Sequence, residues 1–166
     1  MEKYAYDVIQ HELDSSYKIK DYENNTKSAL FVSVYTGKTL HGCIGTMRSN
    51  NTIKRNIEKY AKLAAFNDIR FEPIKKGDDF SIEISLIKDY TPIDISKPGW
   101  KNYIILGIHG IDIYLEDGKS AVFLPQVPIE QGWDINKTLE ELKKKAGNED
   151  GNIVSVRLFT TKIYKY

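Results

Sequence analysis

The segment LHGCIG, residues 40–45, holds the sole cysteine of the chain, with His41 two residues before it and glycines at 42 and 45. In an extended strand, side chains alternate with period two, so His41 and Cys43 are expected on one face. A polar or cationic neighbour stabilises a thiolate, and the thiolate is the reactive nucleophile. Gly42, Ile44 and Gly45 would then line the substrate, the glycines leaving backbone amides open to an anion. The competing reading is packing, because a free cysteine is among the most buried residue types.

Other segments offer partners for such chemistry. In NDIRFEP, Asp68 and Arg70 stand two apart; the guanidinium suits a bidentate hold on a carboxylate or phosphate, with Asp68 orienting it, and an ordinary surface ion pair is the plainer account. His109 lies between Gly107 and Gly110 in GIHGID, whose spacing is not that of a dinucleotide or P-loop fingerprint, and it joins His41 as a candidate proton carrier. FLPQVPIEQGWD is too polar and too broken for a strand; Gln126, Gln131 and Trp133 are expected in a loop that binds a polar group or walls off the core. The cysteine and the three histidines show no CxxC, HxxxH or HxxE spacing, so no metal site is expected. There is no GxSxG elbow, and no cofactor is expected.

The elements that must position these residues follow from hydrophobic periodicity. Tyr4, Ala5, Val8, Ile9 and Leu13 recur as on an amphipathic helix. ALFVSVYT alternates Leu30, Val32 and Val34 against Phe31, Ser33 and Tyr35, and TGKT turns it into the cysteine strand. Asn50 or Asn51 is expected to cap a helix of about four turns carrying Ile53, Ile57, Tyr60, Ala61 and Ala64, whose alanines suggest close packing. Phe80, Ile82, Ile84 and Leu86 face one side of the next strand. After an irregular crossing marked by Pro92, Pro98 and Gly99, the turn at Asp117-Gly118 predicts a hairpin. A short helix over residues 136–146, with Leu139 and Leu142 inward and Gly147 as C-terminal cap, precedes a last strand. Hairpins and lone helices without βαβ alternation predict an α+β fold with a mostly antiparallel sheet and flanking helices.

The chain has 166 residues, enough for a single domain with its own core. Its 24 Lys plus Arg against 23 Asp plus Glu leave a net charge of +1. Nucleic-acid binding therefore has the least support, and no apolar run has the length of a membrane span. One cysteine and no signal-peptide pattern lead to the expectation of a reducing, cytoplasmic setting.

Taken together, LHGCIGT, AFNDIRFEPI, FSIEISLI, GIHGIDI, FLPQV, EQGWD and LKKKAG stand in the order and spacing of the AMMECR1 domain family, which the chain resembles over nearly its whole length. The resemblance implies one AMMECR1-like domain, residues 1–166, of two unequal subdomains with the glycine-cysteine motif near a cleft between them. It implies no settled activity. It further implies a pathway shared with a Memo-like protein and a radical SAM protein, the AmmeMemoRadiSam system, as candidate partners beside an unknown small-molecule or peptide substrate. His41 stands where the family usually has arginine, and Ile69 replaces the proline of its DPRF motif. Two functions are consistent with this set: an enzyme or enzyme component acting through Cys43, or a non-catalytic adaptor that recognises a partner protein or modified peptide.

Overall fold

The computed structural model describes residues 1–166. The elements run α1 (Glu2–Leu13), β1 (Leu30–Thr36), β2 (Thr39–Thr46), α2 (Ile53–Phe66), β3 (Ser81–Ile93), a 3-10 turn (Trp100–Tyr103), β4 (Gly110–Leu115), β5 (Ser120–Phe123), α3 (Gln126–Gln131), α4 (Ile135–Ala146) and β6 (Ile153–Lys165). The six strands form one sheet in the order β2-β1-β3-β6-β4-β5. This is the α+β fold with an antiparallel sheet that the periodicity predicts. The chain divides into two compact units, a larger one of Met1–Ile87 with Lys162–Tyr166 and a smaller one of Lys88–Thr161. No helix is long and apolar enough to cross a membrane.

In the larger unit, Leu30, Val32 and Val34 of β1 and Ile82 and Ile84 of β3 are almost completely buried against Ala5, Val8 and Ile9 of α1 and Ile57, Ala61 and Ala64 of α2. Burying each such aliphatic side chain contributes about 1.5–3 kcal/mol, which binds the two helices to one sheet face. The alanines of α2 matter for β2: a Cβ on Gly42 would lie 1.9 Å from the Ala64 carbonyl oxygen. Close packing of the helix main chain on the strand therefore demands glycine at 42.

Two boundaries differ from the sequence expectation. The cap of α2 is Thr52, whose side chain accepts the Arg55 N–H at 3.3 Å, so the helix starts after a further polar residue than Asn50 or Asn51 would allow. FLPQVPIEQGWD is not all loop: Gln126–Gln131 makes a short helix closed by Gly132 in the left-handed conformation. A six-residue helix with an internal proline buries little of its own surface and shows no helical periodicity to read.

The smaller unit repeats the arrangement. Ile111, Ile113 and Leu115 of β4 and Val156 and Leu158 of β6 pack on Leu139 and Leu142 of α4. Asp134 caps that helix through the Lys137 N–H at 2.7 Å, and Gly147, φ +85°, ends it as predicted.

Candidate functional site

Cys43 sits on β2, an edge strand of the sheet, directly opposite Ser33 of β1. Its register puts it with Ser33 and, one strand further, Glu83 of β3 on the face away from the two helices. An edge strand leaves main-chain groups without a neighbouring strand. At Cys43 two side chains take the neighbour's place. Its N–H donates to Asp68 Oδ2 at 2.9 Å, and its carbonyl accepts from Arg70 Nη2 at 3.2 Å. A third contact reaches the side chain: the buried Ser33 hydroxyl donates to Sγ at 3.2 Å.

Asp68 and Arg70 reach this position because α2 ends at Phe66 and the loop beyond it folds back along β2, tied by Ile74 N–H to the Ala65 carbonyl at 2.9 Å. Arg70 grips Asp68 with both sides of its fork, Nε to Oδ1 at 2.9 Å and Nη2 to Oδ2 at 2.6 Å. The guanidinium hydrogen bonds hold the Asp68 carboxyl at about 2 against the opposing effect of burial, and the Cys43 N–H adds to them. The same pairing raises Arg70 further above its ordinary value. The arginine side chain is 54% exposed against 5% for Asp68.

Arg70 is thus occupied by its own aspartate and by the cysteine main chain through Nε and Nη2. Its guanidinium also lies over the Phe71 ring, 5.2 Å from the centroid, and the His41 ring stacks on Phe71 with centroids 6.1 Å apart. His41 is the extra residue where the β1–β2 register slips, Val34 facing Gly42 and Tyr35 facing Leu40. The bulge re-aims the imidazole, and Nε2 bonds the Glu72 carbonyl. Nε2 must be the protonated nitrogen to donate there, so in the neutral ring Nδ1 is the acceptor that remains.

Of the other candidates in this unit, Ile44 packs against the hydrophobic core. A Cβ on Gly45 would meet the Leu30 carbonyl oxygen at 2.2 Å and Phe31 Cα at 2.5 Å. These residues shape the strand by packing; their side-chain positions are filled by protein.

His109, Gln126, Gln131 and Trp133 belong to the smaller unit. His109 Nδ1 accepts the Ile105 N–H at 3.0 Å, which leaves Nε2 for other partners. Gln126 Oε1 is buried without a hydrogen-bond partner, Gln131 is exposed, and Trp133 rests against Phe123 with centroids 5.7 Å apart. No three His, Cys, Asp or Glu side chains gather closely enough to hold a metal ion. Ser33 escaped the sequence reading, although its place on the outward-facing positions of β1, across a hairpin from Cys43, was the available signal.

A family model described as AMMECR1 matches residues 2–166. The chain belongs to the AMMECR1 family. An uncharacterised protein of Schizosaccharomyces pombe is 37% identical to it over 96% of this chain and 85% of its own length. A Nanoarchaeum equitans protein is 31% identical over 87% of this chain and 84% of its own. The crystal structure of an uncharacterised protein from Pyrococcus horikoshii superposes with a TM-score of 0.82, at 24% identity, over 98% of this chain and 87% of that one. The AMMECR1 chain thus shares its fold with an archaeal protein and its family with fungal and archaeal ones.

Proposed function

We propose that this AMMECR1 protein is a cytoplasmic enzyme or enzyme component in which Cys43 attacks or relays a group on a small or peptidic substrate. The observation that carries this reading is the three-point hold on Cys43, two contacts to its main chain and one hydroxyl donor to its sulfur. A sulfur that accepts a hydrogen bond beside a guanidinium has its thiolate form favoured. In the exchange, the thiol proton passes to Nδ1 of His41. The sulfur–carbon bond forms at an electrophilic carbon, and the leaving group departs with that proton. Water then breaks the sulfur–carbon bond and restores the thiol. Arg70 holds an anionic part of the substrate. The pathway would be the one that the family resemblance implies, with Memo-like and radical SAM proteins as partners.

The test is the rate of Cys43 alkylation by iodoacetamide against pH on the native protein, with Cys43→Ser as the blank. A midpoint well below pH 8.5, about the ordinary thiol value, supports the reading. A thiol that reacts only in denaturant overturns it.

A second reading has its own observation. Asp68 and Arg70 satisfy the edge of β2 as a strand would, which is a structural service, and Cys43 would then merely pack. Under this adaptor reading, co-purification with a Memo-like or radical SAM protein is lost on replacing Arg70 or Trp133 and survives Cys43→Ser.

A further inference from the structure

A second polar cluster, built wholly from the smaller unit, plays no part in the reading above. β4 turns Ile111, Ile113 and Leu115 to the core and Gly110, Asp112 and Tyr114 to the other face. Asp112 is the cross-strand partner of Arg157 on β6. Opposite charges in that relation ordinarily pair. Here they do not: Asp112 is 4% exposed and its Oδ2 accepts a hydrogen bond from the Tyr90 hydroxyl instead.

Arg157 is left with its donors largely unused. Its guanidinium lies over two rings, 5.4 Å from the centroid of Tyr90 and 5.7 Å from that of Tyr114. Its hydrogen bond to protein is a long one, Nη1 to Tyr90 Oη at 3.4 Å. Two aromatic faces stiffen the side chain while leaving the planar edge of the fork open. The backbone contributes to the placement: Asp89, next to Tyr90, is the one non-glycine residue at positive φ, +49°, and its carboxylate accepts the Thr160 hydroxyl at 2.6 Å. Strain of this kind persists where the surroundings enforce it.

An arginine kept only for packing would use its fork on the carboxylate facing it. We propose that Arg157, bracketed by Tyr90 and Tyr114, is a binding site for an oxyanion, the carboxylate or phosphate group of a ligand. The rings restrict the rotamers that a free arginine would lose on binding, and the open fork matches the two oxygens of either anion. Asp89 and Asp112 do not compete for it, because each is engaged by a hydroxyl.

The experiment is titration of ¹⁵N-labelled protein with inorganic phosphate and, separately, with acetate, at ionic strength held constant with chloride. Saturable shifts are expected at amides of residues 88–91, 112–114 and 155–158. Arg157→Gln should weaken the interaction roughly 10-fold or more. Arg157→Lys, which keeps the charge and loses the fork, should fall between the two, and Tyr114→Leu, which keeps the arginine, should weaken it severalfold. Saturation by phosphate alone or acetate alone names the preferred anion and supports the site. No saturation by either, equal shifts in the wild type and Arg157→Gln, or shifts gathered around residues 68–71 would each overturn it, and none of these outcomes bears on Cys43 reactivity.

Discussion

Replacing Asp68 by asparagine tests the hold on Cys43. Four donors, the Cys43 N–H and the main-chain N–H, Nε and Nη2 of Arg70, converge on two carboxylate oxygens, and asparagine offers one acceptor in their place. The pairing moves the carboxyl from 3.8 to about 2. At about 1.4 kcal/mol per unit this is roughly 2 kcal/mol, and screening around the half-exposed arginine reduces it to about 1–2 kcal/mol. Because the folded-state value lies below the unfolded one, that stability is fully present above about pH 4 and is lost as pH falls through 2. Urea unfolding of wild type and Asp68→Asn should therefore show a gap of about 1–2 kcal/mol at pH 7 that shrinks steadily below pH 4. No gap at pH 7, or one as large at pH 2.5 as at pH 7, would refute the claim that an ionised Asp68 holds this edge.

Three further outcomes follow from the geometry. Gly42→Ala drives a methyl group into the Ala64 carbonyl, and overpacking of that kind should cost about 3 kcal/mol, lowering Tm by roughly 6–12 °C in a thermal melt. Ser33→Ala removes the donor to Sγ, so the alkylation profile of Cys43 should move to higher pH while Ser33→Thr restores it, with circular dichroism unchanged in both. Asp112→Asn should be neutral or stabilising at pH 7: burial pushes the Asp112 carboxyl up, so the native state binds the extra proton and stability falls as pH rises from about 3.8, a slope that unfolding at several pH values should show the variant to lack.

The fold was legible because its signals are local. Alternation in Leu30–Val34 and Phe80–Leu86, the Asp117-Gly118 turn and the glycine after α4 each declare an element within a few residues, and the structure places all of them. The close packing hinted at by the alanines of α2 has its partner in Gly42, 22 residues earlier in the chain, and only the folded register shows it. The site was legible in composition and illegible in arrangement. Asp68 and Arg70 stood out as a pair, yet their bonds to the Cys43 main chain span 25 and 27 residues and follow no periodicity. The bulge at His41 depends on a slip of one residue in a hairpin, which turn composition does not determine. α3 failed to announce itself because a helix of one and a half turns is held by its surroundings.

The same geometry explains why glycine surrounds the cysteine. Gly42 yields to the main chain of α2 on one face, and Gly45 yields to Leu30 and Phe31 of the neighbouring strand. Both are requirements of packing, so the glycines by themselves say nothing for or against a reactive thiol. The discriminating residue is Ser33. A core cysteine needs only apolar neighbours, whereas Cys43 is half-buried on a face that carries Ser33 and, across β1, the buried Glu83, itself paired with Lys165 at 2.9 Å. A hydroxyl that donates to sulfur stabilises charge there, and its removal matters to a thiolate and little to a packed thiol. The Ser33→Ala profile therefore decides between the two roles on a single residue: a shift to higher pH means that the protein tunes its sulfur, and an unmoved profile means that Cys43 serves the strand alone.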